Sequence, residues 1–184
     1  MGWMKDETGL ERRQANFVPL TPLSHLRRAA LLYPAYEAVV YGDIRRSYAE
    51  YYKRCTRLAS GLVKLGVNPG DVVATLIPNV PAQAEAHFGV PAAGAVLNTI
   101  NTRLEMDTVA FIFEHGDAKV VLVDAQFLSL AEGAIAQMKG PAPLLIEVED
   151  LQAGHASSGR HAEYEHLLGS GDPDFQWIMP EDEW

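Results

Sequence analysis

Asn98, Asn101 and Arg103 cluster at the end of the apolar run from Ala95 to Ile100. If that run is a strand, these groups sit at its carboxyl end, where α/β folds place their ligands. A local reading competes and is favoured: both amides bond the turning backbone, and Arg103 pairs with Glu105 or Asp107. A second cluster, His155, His161 and His166 with Glu163 and Glu165, holds donor types that metals use. His161 and His166 are five residues apart, off a common helical face, whereas zinc helices present His pairs at i and i+4. A solvated charged loop is therefore expected there. His87 and His115 fall in or at the end of predicted helices and read as structural.

Cys55 is the lone thiol. It falls on an apolar helix face with no sequence-local group to lower its pKa, so a buried, inert side chain is expected. The chain has no G-x-S-x-G elbow, no G-x-G-x-x-G after a strand and no G-x-x-x-x-G-K-[ST]. An acyl-transfer serine, a dinucleotide fingerprint and a P-loop are thereby excluded. Spacing alone yields no catalytic residue, no metal ligand and no assignable cofactor-binding residue.

The elements that would position such groups alternate. Thr21-Pro22 opens a helix carrying Leu23, Leu26, Ala30 and Leu31, and Tyr33-Pro34 stops it. Gly42-Asp43 reads as a hairpin turn between Glu37–Tyr41 and Ile44–Ser47. Ser47 and Glu50 have the spacing of a capping box. Behind them Tyr51, Cys55, Leu58, Leu62 and Leu65 recur as one helical face, closed by Gly66. Asn68-Pro69-Gly70-Asp71 is a turn.

Val72–Ile77, Ala95–Ile100, Lys119–Val123 and Leu144–Val148 are short apolar runs, read as strands. Helices fall between them: one from about Pro81 with Ala84, Phe88 and Ala92 inward and a kink at Pro91, one over Met106–His115, and one carrying Phe127, Leu128, Ala131, Ile135 and Met138. Gly89 and Gly94 are expected to allow close helix–sheet packing, with close backbone approach to a ligand as the competing reading. Solid apolar strands alternating with helices imply a layered α/β domain, a mostly parallel sheet with helices on both faces. Residues 1–20 read as an N-terminal arm, 21–150 as the α/β subdomain and 151–184 as an irregular connecting segment. In that last part Tyr164, Leu167 and Leu168 suggest one short helix, and the aromatics of Asp172–Trp177 are expected to lack a partner in this chain.

At 184 residues the chain suits one domain with a real core. Its net charge of -9 argues against nonspecific nucleic-acid binding, which rests on Lys and Arg neutralising phosphates. No run reaches the length of a transmembrane helix. The first residues lack the apolar core of a signal peptide, and one cysteine excludes an intrachain disulfide, so a cytoplasmic setting is expected.

Five segments in order carry a resemblance. They are Ser47-Tyr48-Ala49-Glu50, Asn68–Ala74, Ala93–Leu104 with its Asn98-Thr99-Ile100-Asn101-Thr102-Arg103-Leu104 wording, Lys119–Asp124, and the tail from Asp172 through Pro180-Glu181-Asp182-Glu183-Trp184. Together they resemble the adenylate-forming (AMP-binding) acyl-CoA synthetases, over about Pro22 to Trp184.

The resemblance implies part of that family's large N-terminal domain. It also implies a parent reaction: a carboxylic or fatty acid, ATP and CoA give acyl-CoA, AMP and pyrophosphate through an acyl-adenylate. ATP, Mg²⁺ and coenzyme A are the parent's cofactors, and none is expected to bind this chain tightly. The family's phosphate-gripping loop normally follows a segment like Pro180–Trp184, and the chain stops at Trp184. This chain alone is therefore expected to be inactive. Its implied partners are the remainder of the synthetase and a small carboxylic acid, with self-association left open. A stand-alone small-molecule-binding or subunit-interaction module is the competing reading.

Overall fold

The computed structural model describes Arg13 and residues 17–181. Most of the arm expected over residues 1–20, and Asp182-Glu183-Trp184 of the tail motif, lie outside the described residues.

Local signals set the early elements. Helix α1 spans Pro22–Leu32, and Thr21 caps it by accepting from the Leu23 N–H. Strands β1 (Glu37–Tyr41) and β2 (Ile44–Ser47) pair antiparallel across a turn whose Gly42 has φ +51°. Helix α2 (Tyr48–Lys64) begins with the full capping box: Ser47 Oγ accepts from the Glu50 N–H, and the Glu50 carboxylate accepts from the Ser47 N–H. Such a box stabilises a helix start by about 0.5–2 kcal/mol.

Then the chain alternates: β3 Val72–Leu76, α3 Pro81–Ala92, β4 Val96–Thr99, α4 Met106–His115, β5 Ala118–Asp124, a short 3₁₀ turn, α5 Leu128–Gln137, β6 Leu144–Val148. A two-residue strand β7 (Ala162–Glu163) and the short helix α6 (Tyr164–Ser170) follow. The five strands β4-β3-β5-β6-β7 form one sheet, every pair parallel. Strand β7 had no apolar signal, because two exposed residues at a sheet edge need none.

The pleat divides the core in two. Val73, Val120, Leu122, Ile146 and Val148 face the layer of α2, α3 and α6. Ala74, Leu76, Val121, Val123 and Leu145 face α4 and α5. Both faces are covered, so the strands read as solid apolar runs. Leu58 and Leu62 of α2 are 0% exposed, each burial worth about 1.5–3 kcal/mol.

Several expectations need correction. Leu31 and Leu65 are exposed, so both stripes end one turn early. In α3 the buried set is wider than Ala84, Phe88 and Ala92: Ala82, Ala86, Gly89, Val90 and even Glu85 are buried, because α3 lies between α2 and the sheet. Pro91 falls in the last turn of α3, which ends one residue later. Gly89 serves helix–helix packing, since a Cβ there would lie 2.6 Å from Leu58 Cδ2. The tail aromatics do have partners: Phe175 and Trp177 pack on the core layer of α2 and α3.

Candidate functional site

The carboxyl ends of β3 and β4 open into a polar crevice of about 500 Å³, lined by Asn79, Gln83, His87, Thr99, Asn101 and Thr102. Pro81 starts α3 directly behind it, with no side-chain cap. Gln83 is buried and its Oε1 has no hydrogen-bond partner. The His87 Nδ1 sits 2.7 Å from the Gln83 carbonyl, which fixes that ring on its own helix. The wall thus offers amide and hydroxyl groups and one imidazole. Among the described residues that line it, none is Lys or Arg.

Of the three polar residues singled out at this strand end, only Asn101 lines the crevice. Its Oδ1 accepts the Arg103 N–H at 2.9 Å, the backbone role expected of it. Asn98 points toward the end of α4, where its Nδ2 would meet a Cβ at Gly116. Arg103 makes no ion pair with Glu105 or Asp107, and β4 is an edge strand rather than a buried one. Asn79, Gln83 and Thr99 were missed in the sequence. The Pro78–Pro81 punctuation between strand and helix was the signal that could have found them.

A second polar centre is structural. Glu85, 0% exposed, accepts from Arg54 Nε at 2.6 Å, Arg54 Nη2 at 3.1 Å and Tyr164 Oη at 2.7 Å, and pairs with Arg46. Arg54 also grips Glu165 at 2.5 Å. Burial, with Glu85 beside it, pushes the Tyr164 phenol well above its usual range. Every lone pair of this carboxylate is engaged, so the network ties β2, α2, α3 and α6 together.

The three histidines of the connecting segment are not brought together. His161 pairs with Glu132 at 2.9 Å, His166 is exposed, and His155 lies 3.3 Å from Asp124. Cys55 is 0% exposed, buried as expected, and that burial raises its thiol well above the usual pKa.

A five-stranded parallel sheet with helices on both faces and a polar crevice at its carboxyl ends is an α/β layered architecture. The family model described as "AMP-binding enzyme" matches residues 26–180, and the chain belongs to that family. It is 41% identical over 191 residues to the peroxisomal acetate/butyrate–CoA ligase of Arabidopsis thaliana, covering 98% of this chain and 34% of that protein. To the peroxisomal trans-cinnamate:CoA ligase of Petunia hybrida it is 41% identical over 184 residues, covering 92% and 32%. The solved structure of a Mycobacterium tuberculosis fatty acyl CoA synthetase matches with a TM-score of 0.67 at 28% identity, over 88% of this chain and 30% of that one. The chain spans about a third of the length of the curated relatives it matches.

Proposed function

We propose that this chain is the front portion of an ATP-dependent acid–thiol ligase, which converts a carboxylic acid, ATP and CoA to acyl-CoA, AMP and pyrophosphate through an acyl-adenylate. The observation that carries the reading is 41% identity, sustained over 98% of this chain, to a relative named as a CoA ligase. Within that enzyme the chain supplies scaffold and the Asn79–Gln83–Asn101 wall of a small-molecule cleft.

ATP does not fit the lining of this crevice by itself. A triphosphate needs cations and a Gly-rich cradle of N–H groups, and the crevice lining carries no Lys or Arg. No step of the reaction is therefore assigned to this chain's side chains. Mg²⁺ and coenzyme A belong to the same whole-enzyme proposal.

An apolar groove of about 670 Å³, walled by Pro22, Val39, Val40, Val80 and Phe88, supports the partner reading. Its size and lining suit the docking of further protein. The isolated chain should therefore self-associate or bind a hydrophobic dye. A cytoplasmic location, from the lone buried Cys55, is part of the proposal; no helix among the described residues is long and apolar enough to cross a membrane.

The test is a chimera in which this chain replaces the matching third of the Arabidopsis ligase. Carboxylate-dependent pyrophosphate release and acyl-CoA formation are expected from the chimera, and neither from the 184-residue chain. A chimera with a cooperative unfolding transition but no adenylation of any short-chain or aromatic acid overturns the reading.

A further inference from the structure

Asp124 is the last residue of β5, and Asp150 lies two residues past the end of β6. These strands are parallel neighbours, so their carboxyl ends deliver both carboxylates to one place. The chain then turns back at once. Asp150 and His155 form an antiparallel bridge, each N–H donating to the other's carbonyl at 2.8 Å, which sets the imidazole beside the two acids. Asp124 is 0% exposed and Asp150 6%.

Each of the three residues offers one donor atom, and these atoms lie within 4.8 Å of one another. His155 Nδ1 is 3.3 Å from Asp124 Oδ1. Bonds of about 2.0–2.2 Å at tetrahedral angles put neighbouring ligand atoms about 3.3 Å apart around zinc.

Two of the polar atoms at this place are also unspent. Asp124 Oδ2 and His155 Nδ1 are buried atoms with no hydrogen-bond partner. Among the described residues, neither aspartate has a Lys or Arg at ion-pair distance. Glu85 shows the contrast, with every lone pair engaged by Arg46, Arg54 and Tyr164. A buried carboxylate pair facing a single imidazole calls for an electrophile between them.

We infer that Asp124, Asp150 and His155 form a divalent-cation site of zinc type, clipping the ends of β5 and β6 to the loop that follows β6. One imidazole and two carboxylates are a nitrogen–oxygen set that suits zinc better than magnesium, which takes oxygen donors. The ligands are held from behind. Tyr41 Oη donates to Asp150 Oδ2 at 2.6 Å, the Gln126 N–H to Asp124 Oδ1 at 2.9 Å, and the Ala153 N–H to Asp150 Oδ1 at 3.3 Å. Such bonds fix the orientation of metal ligands. The fourth position is left to a water from the cleft that Tyr41, Asp150 and Gln152 line.

The experiment titrates the chelator-stripped 184-residue chain with Zn²⁺ alone, by calorimetry and thermal unfolding. One equivalent should bind, with a higher Tm, because a ligand that binds only the folded state stabilises it. Asp150→Asn and His155→Ala should each weaken binding at least 100-fold, while His161→Ala leaves it unchanged. If His155→Ala does not fold, the wild type decides: zinc should shift the His155 imidazole resonances and spare those of His161. No stoichiometric binding, binding that survives in folded His155→Ala, or loss that tracks His161→Ala would each overturn the site.

Discussion

The Trp177 indole N–H donates to Thr56 Oγ1 at 2.9 Å, joining residues 121 apart in sequence. Thr56 in turn donates to the Tyr52 carbonyl at 2.9 Å, and the Tyr52 and Trp177 rings lie 4.7 Å apart at 30°. Neighbouring bonds continue the track. The Asp172 N–H reaches Ser60 Oγ, and the Ile178 N–H reaches the Ala92 carbonyl, both at 2.9 Å. The tail thus runs down α2 and closes on the end of α3, one side of the same layer that holds Glu85.

Trp177→Ala should destabilise the chain by about 2 kcal/mol, below the 3–5 of a fully buried ring because this one is only partly buried. Urea denaturation measures it. Trp177→Phe should recover most of the packing and leave a deficit of about 1 kcal/mol for the lost hydrogen bond. Equal losses in the two variants would mean that the bond, rather than the ring, holds the tail.

Glu85→Ala strands Arg46 and Arg54 in a layer where their side chains are only 18% and 21% exposed. Removing one partner of such a network costs about 3–5 kcal/mol. Glu85→Gln keeps the shape and two acceptor lone pairs, so a smaller loss of about 1–3 kcal/mol is expected. Chemical denaturation of both variants checks the order. A Glu85→Ala chain as stable as the wild type would mean the network contributes nothing net.

The difference between what the sequence carried and what it hid follows from distance along the chain. Ser47 and Glu50 are three residues apart, and their capping box was legible because both partners lie within one helical turn. The apolar runs of β3, β5 and β6 were legible for a related reason: helices cover both faces, and each run announces its own burial. Glu85 looked like an ordinary polar residue on α3. Its partners Arg46, Arg54 and Tyr164 lie 39, 31 and 79 residues away, and no local pattern links them. Asp124, Asp150 and His155 meet only because β5 and β6 are neighbours. The histidines are visible in the sequence, but the acids nearest along the chain, Glu163 and Glu165, are not the ones that His155 and His161 meet. Trp177 is hidden in the same way: Thr56 is 121 residues off.

Gly89→Ala tests the α2–α3 contact. Alanine favours a helix interior over glycine by about 0.8–1 kcal/mol. Here the new methyl would sit 2.6 Å from Leu58 Cδ2 and 3.0 Å from Leu58 Cβ, both on a fully buried side chain. Overpacking costs about 1–3 kcal/mol, so a net loss is expected. Leu58→Ala in the same chain should make Gly89→Ala neutral or stabilising, a coupling that a double-mutant cycle reads directly.

Asp71 gives the chain a predictable acid response. Its carboxylate accepts from Lys119 Nζ at 2.7 Å and from the Asn68 N–H at 2.7 Å, and these donors, Lys119 foremost, hold its pKa below the ordinary value. A carboxyl whose pKa is lower folded than unfolded contributes stability above the unfolded value, about 3.9. That contribution is lost as the pH falls through the folded value. The Tm gap between wild type and Asp71→Asn should therefore be constant near neutral pH and close below about pH 4. Added salt should narrow the gap at neutral pH, because both side chains are partly exposed and the pair is open to screening. A gap that instead widens on acidification would mean that Asp71 is held in its protonated form, contrary to both hydrogen bonds.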